Sequence, residues 1–180
     1  SGGDFTWQFQ TPVPDLLSMG PEGKVEVAEI KVQAAFSSAI DASLLSAETV
    51  QITREGEAQT PIDLRFDETT NELSFELNDG YKPGSRYEVT LAALLAGPLR
   101  AVSGGDFTWQ FQTPVPDLLS IGPVGEVDEA EIRVEAAFSS AIDVSLLNAE
   151  TVQITREGEV QSPTDLRFDE TTNELSFELA

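Results

Sequence analysis

The segment SGGDFTWQFQTPVPDLLS, residues 1–18, returns letter for letter at 103–120, a shift of 102 positions. The correspondence runs on to Leu77 and Leu179. Twelve of the 77 paired positions differ, among them Met19/Ile121, Lys24/Glu126, Lys31/Arg133 and Ala42/Val144. Solenoid repeats have periods of about 20–50 residues, so a period of this size suits an array of whole domains. At 180 residues the chain holds a little under two such units. Arrays of near-identical domains supply length, stiffness or avidity more often than a single reaction centre.

Within each copy, apolar and polar residues alternate with a period of two. In EIKVQAAF, Ile30, Val32, Ala34 and Phe36 share one face, and Glu29, Lys31 and Gln33 point the other way. The same reading puts Val50 and Ile52 inward, then Leu64 and Phe66, then Leu73, Phe75 and Leu77. Tyr87, Val89 and Leu91 follow, and finally Phe107, Trp109 and Phe111. DETTNE (67–72) predicts a tight hairpin connection, NDGYKPGS (78–85) a longer loop, and SLLSAE (43–48) one helical turn. No stretch keeps a helical period for three turns. Short strands separated by polar turns predict an all-β chain built of β-sandwiches. Tyr87, which follows Pro83-Gly84 at a strand start, is expected to form a tyrosine corner with backbone near 79–84.

Pro12 and Pro14, with their twins Pro114 and Pro116, stiffen the junction between copies by fixing φ and removing N–H donors. This places a closing strand of a preceding unit at 1–12, a complete unit at 13–114, and a unit lacking its last two strands at 115–180. Two explanations fit such ends. One is a window cut from a longer array. The other is a subunit whose residues 1–12 complete a neighbour's open unit by strand addition. The strand count favours the window, because 1–12 restores only one of two strands.

The motifs in order resemble the bacterial immunoglobulin-like domain of S-layer proteins and large surface adhesins. Phe36-Ser37-Ser38-Ala39-Ile40-Asp41 is similar to the family's F-S-x-x-[ILM]-D segment. Pro83-Gly84-Ser85-Arg86-Tyr87-Glu88-Val89 is similar to its P-G-x-x-Y-x-V stretch. Phe107-Thr108-Trp109-Gln110-Phe111-Gln112-Thr113 is similar to its closing strand. The resemblance covers residues 13–114 and the front two-thirds of the second copy. It implies tandem Ig-like sandwiches of Greek-key type and an extracellular, cell-surface structural role, with no catalytic residues to carry over. The family's Gly-Asn before the last strand is replaced here by Arg100-Ala101-Val102-Ser103-Gly104-Gly105.

Charge and residue types narrow the chemistry. The net charge of −22 argues against nucleic acid and anionic membrane surfaces as partners, since both need clustered Lys and Arg. Its simplest role is a solvated, self-repelling surface that keeps an array soluble and extended. With no histidine and no cysteine, the serine and cysteine hydrolase arrangements and zinc sites have no residues to work with. No reaction is expected, and no cofactor.

Calcium is the best remaining ligand. It needs six to eight converging oxygens, for which Asp15, Glu22, Asp41, Asp67, Glu68 and Asp79 are the candidates, with the junction around Asp15 and its copy Asp117 the favoured place. No D-x-[DN]-x-[DN]-G loop accompanies them. Self-made isopeptide links through Lys24, Lys31 or Lys82 are not expected, because the second copy replaces the first two by Glu126 and Arg133. The stripe Phe107, Trp109, Phe111 is read as core rather than as a carbohydrate platform. The resulting expectation is a spacer or fibre element whose partners are neighbouring copies of the same repeat, head to tail. The alternative is an adhesin module that recognises glycan or protein through its loops, in which Tyr81 is the one aromatic.

Overall fold

The computed structural model describes residues 6–9, 11–25, 30–126, 132–148 and 150–179. Phe5 and the rest of 1–5, with Gln10, lie outside the described residues, so the strand expected at 1–12 is covered only in part. By contacts the chain divides into two units. One gathers Ser1–Gly23, Ile30–Gly80 and Arg86–Phe111, and the other Lys24–Glu29, Tyr81–Ser85 and Gln112–Ala180.

The first unit is a sandwich of two sheets. One is assembled from β1 (Leu16–Gly20), β3 (Val32–Phe36), β6 (Pro61–Asp67) and β7 (Glu72–Leu77), in the order β1-β3-β7-β6. The other joins β2 (Gly23–Lys24), β4 (Val50–Arg54), β5 (Glu57–Gln59), β8 (Arg86–Leu91) and β9 (Phe107–Gln112), in the order β2-β9-β8-β4-β5. Alternation places the side chains. Val32, Ala34, Phe36, Leu73 and Phe75 are buried from the first sheet. Val50, Ile52, Tyr87, Val89, Leu91, Trp109 and Phe111 are buried from the second. The sheets meet where the Phe36 and Phe107 rings pack edge to face, 5.9 Å between centroids. Tyr87 stacks on Phe111 at 5.2 Å.

Ile30 and Phe66, expected in the core, are half-buried, and Gln33, expected outside, is half-buried too. Phe66 sits on β6, the edge strand, with a neighbour on one side only. Gln33 is paired on both sides, opposite Gly20 and Ser74. Three local features follow turn chemistry. β4 and β5 form a hairpin in which Arg54 opposes Glu57 across Glu55 and Gly56, both at positive φ (49° and 87°). That is the backbone whose twist matches paired strands. At 67–72 the expected hairpin is present, closed by Asn71 at φ 55°. Within β6 the register shifts between Ile62 and Arg65, and Asp63 at φ 51° makes the bulge.

The helical turn near 43–48 forms slightly earlier, as a 3-10 turn at Ala42–Leu44. The unfamiliar segment before β9 contains a short helix, α1 (Pro98–Ser103), where the alternation analysis placed none. Pro98 at the first helical position has the right φ and no N–H to leave unpaired, while Gly97 reaches φ 99° just before it.

The second unit repeats the first sheet as β10 (Leu118–Gly122), β11 (Ile132–Phe138), β14 (Thr164–Asp169) and β15 (Glu174–Leu179), in the order β10-β11-β15-β14. A separate pair, β12 (Ile154–Arg156) and β13 (Glu159–Gln161), matches the β4–β5 hairpin. Its core is smaller: Ala136, Leu175 and Phe177 are buried, with Val134, Phe138 and Ile154 packed half-buried around them. The loop Tyr81–Ser85 belongs to this unit through Thr113. The Thr113 hydroxyl donates to the Lys82 carbonyl (2.7 Å) and accepts from the Ser85 N–H (2.8 Å). Buried polar groups need such partners, and Thr113 has them on both counts.

Two stability measurements check this core. Trp109→Ala is expected to cost about 3–5 kcal/mol in chemical denaturation, from lost burial plus a cavity. Tyr87→Phe is expected to cost about 0.5–1.5 kcal/mol through loss of the corner bond, and an unchanged stability would refute that bond.

Candidate functional site

Of the carboxylates named as calcium candidates, those of Asp41 and Asp67 accept bonds from local backbone. Asp41 caps the 3-10 turn after it, accepting the Ser43 N–H (3.1 Å) and hydroxyl (2.5 Å). Its copy Asp143 accepts the Ser145 N–H (3.1 Å) and hydroxyl (2.6 Å) and lies 3.3 Å from the Lys82 Nζ. Asp67 accepts the N–H groups of Thr69 (2.8 Å) and Thr70 (3.4 Å), and Asp169 repeats both bonds. Asp15 and Asp117 exchange backbone bonds with Ser37 and Ser139, as in the Asp15 N–H to Ser37 hydroxyl contact of 2.9 Å. Glu22 and Glu68 are exposed, and Asp79 accepts from the Asn78 side chain at 3.1 Å. Among the described residues, no three of these carboxylates converge to hold a metal ion.

Two of these groups have shifted acidity. The N–H of Thr69 holds the Asp67 carboxyl below its ordinary 3.8, with a further bond from Thr70 and against the cost of desolvation. The Ser145 hydroxyl, more than Lys82, does the same for Asp143.

Phe107, Trp109 and Phe111 face the interior, with the Arg100 guanidinium 4.6 Å above the Phe107 ring. By contrast Trp7 and Phe9, twins of Trp109 and Phe111, are 80% and 84% exposed. A second apolar group stands on the connection around α1, where Leu94, Leu99 and Val102 are exposed, Val102 at 89%. Tyr81, the loop aromatic, is half-buried.

A concave apolar feature belongs to the second unit. A groove of about 740 Å³ is lined by Val134, Ala136, Phe138, Ile154, Leu175 and Phe177, among others. Their counterparts Val32, Ala34, Phe36, Ile52, Leu73 and Phe75 are each at most 2% exposed, in a unit where β8 and β9 are present. The sequence signal for the groove is the pattern of apolar residues on 115–180 without the strands that cover them.

Two facing sheets with alternating buried residues, joined by short turns in non-sequential order, define an immunoglobulin-like β-sandwich. The chain belongs to the bacterial Ig-like domain family, whose model matches residues 5–113. Among solved structures it is similar to the N-terminal part of the bacterial S-layer protein SbsC. There it is 15% identical over 91% of this chain and 37% of that one, with a TM-score of 0.40. It is also similar to the S-layer protein rSbsC(31-844), with 17% identity over 91% of this chain and 22% of that one, and a TM-score of 0.39. It thus spans well under half the length of either. No curated protein matches the chain.

A pH titration tests the turn assignment. Because Asp67 and Asp143 have depressed folded values, the folded state holds fewer protons than the unfolded one in acid. Their contribution is complete above the ordinary value of 3.8 and fades as pH falls through the lowered one. Asp67→Asn is expected to flatten the fall of stability below about pH 4 while leaving its slope near neutrality unchanged.

Proposed function

We propose that this chain is a structural repeat of an extracellular surface or filament protein, a spacer assembled head to tail with neighbouring copies and carrying no enzymatic activity. The observation that carries this is the repeat itself. Of its twelve substitutions none falls on the buried strand residues Val32, Ala34, Phe36, Val50, Ile52, Leu73, Phe75 or Leu77, or on their copies. A fold preserved twice with an altered surface suits a building unit, whose contribution is a fixed length per copy. Membership of the bacterial Ig-like family and the net charge of −22 support the same reading. Like charges spread over an array oppose its collapse, and the prolines at each junction limit bending.

The mechanism is mechanical. Small-angle scattering of arrays of increasing copy number is expected to show a constant gain in maximum dimension per 102 residues. The gain should shorten in high salt as repulsion is screened. Dimensions that stop growing with copy number would refute the spacer. Chelator is expected to leave the melting temperature unchanged, since the Asp41 and Asp67 carboxylates are engaged in a cap and a turn and, among the described residues, no three acidic groups gather to hold an ion. A fall of more than about ten degrees would restore calcium as a structural ion. Surface location is checked by antibody labelling of intact cells of the source organism.

The adhesin reading is favoured at one place, the exposed Leu94, Leu99 and Val102 around α1. It predicts that Val102→Ser lowers attachment to a glycan or protein surface without changing the stability of the unit.

A further inference from the structure

Residues Tyr81–Ser85 stand in the sequence between β7 and β8, two strands of the first unit, yet they pack as part of the second. Within the second unit their backbone is held at four points. The Thr113 hydroxyl donates to the Lys82 carbonyl and accepts the Ser85 N–H. The Thr113 N–H donates to the Ser85 carbonyl (2.9 Å), and the Gly84 N–H donates to the Pro114 carbonyl (2.8 Å). The loop so fixed carries Lys82 to the 3-10 turn at Val144–Leu146, where its Nζ lies 3.3 Å from the Asp143 carboxylate that caps the turn. This ion pair differs from the others. Arg65–Asp63, Arg133–Glu135 and Arg167–Asp165 join residues two apart, with side chains 44–74% exposed. Lys82 and Asp143 are 61 positions apart in the chain and only 30% and 20% exposed. A pair partly withdrawn from water is less screened by salt. The receiving cap recurs in the other copy as Asp41 and Ser43, with the same two bonds, so it is built into the repeat.

We propose that loop 81–85 is a shared element. One copy of the repeat encodes and orders it, and through Lys82 it completes the unit that follows, so that successive copies stabilise one another. The physical reason is preorganisation. While the first unit is folded, β7 and β8 fix both ends of the loop. The ammonium is then delivered to Asp143 without the entropy of ordering a free chain. When β7 and β8 come apart, the same lysine sits on an unconstrained segment. Asp143 is left with the Ser145 N–H and hydroxyl alone of its three donors. The folded first unit therefore acts on the second as a ligand that binds only the folded form. In an array this is a nearest-neighbour coupling, and a copy with a folded predecessor is more stable than a copy by itself. The coupling is the same whether the array is a spacer or an adhesin.

The test is amide exchange on the isotope-labelled 180-residue chain. Lys82→Met keeps the side-chain stem and removes the charge. It is expected to speed exchange of the second-unit amides of β11 and of Ser145 and Leu146 by about three- to tenfold. The first-unit amides of β3, β7 and β8 should keep their rates. Lys82→Arg, which restores the charge, should stay within about twofold of the parent chain. In an Asp143→Asn background, Lys82→Met should add nothing further, because the pair is already broken. Unchanged second-unit exchange in Lys82→Met, equal acceleration in both units, or the same acceleration in the Asp143→Asn background would each overturn the proposal. Arrays of increasing copy number give an independent reading. Their denaturation midpoint is expected to rise with copy number, and to rise less when every copy carries Lys82→Met. A parent midpoint independent of copy number, or an equal rise with Lys82→Met, would overturn it as well.

Discussion

The central strand β8 is the contact on which the first unit depends. Its inward residues Tyr87, Val89 and Leu91 are fully buried, and it is the strand that ties β9 to β4. Each such side chain contributes about 1.5–3 kcal/mol on burial. The larger consequence is geometric. With β8 in place, Phe111 has a ring to stack on and the second sheet extends far enough to cover Val32, Phe36 and Phe75. In the second unit the matching residues Val134 and Phe138 pack half-buried around a smaller core.

The acidity of the chain divides into two physical roles. Aspartates at the start of turns, Asp41, Asp67, Asp143 and Asp169, accept backbone N–H groups that would otherwise lack partners. The Asp67 copy keeps both of its bonds, and the Asp143 copy keeps those of Asp41, because neither the aspartates nor their Ser and Thr donors are among the twelve substitutions. Other charges lie on exposed strand positions, among them Glu57, Arg65 and Glu76, and Lys31/Arg133 differs between the copies at an exposed position. Among the described residues, none of the substitutions falls on a buried side chain.

As for the candidate site, Asp41 and Asp67, two of the expected calcium ligands, were legible as acidic residues but not as turn caps. Composition shows that a carboxylate is present. Only backbone geometry shows that its lone pairs already receive N–H donors. The groove was legible in a different way, as an apolar face on 115–180 with too few strands to cover it. Its outline, and the identity of its lining to that of the first unit, required the tertiary arrangement that brings β10, β11, β12 and β15 around one space.

The sequence by itself determined the period of 102 residues, the all-β class, and the inward residues of β3, β4, β7, β8 and β9, because a two-residue alternation admits only one buried face per strand. Tertiary structure alone decided the rest. It set the β4–β5 hairpin through positive φ at Glu55 and Gly56, the bulge at Asp63, and the half-burial of Phe66 on an edge. It also decided that α1 forms at Pro98, where the chain must cross between β8 and β9. These depend on which strand lies beside which. Strand order is a property of the assembled sheets, and no local pattern of apolar residues encodes it.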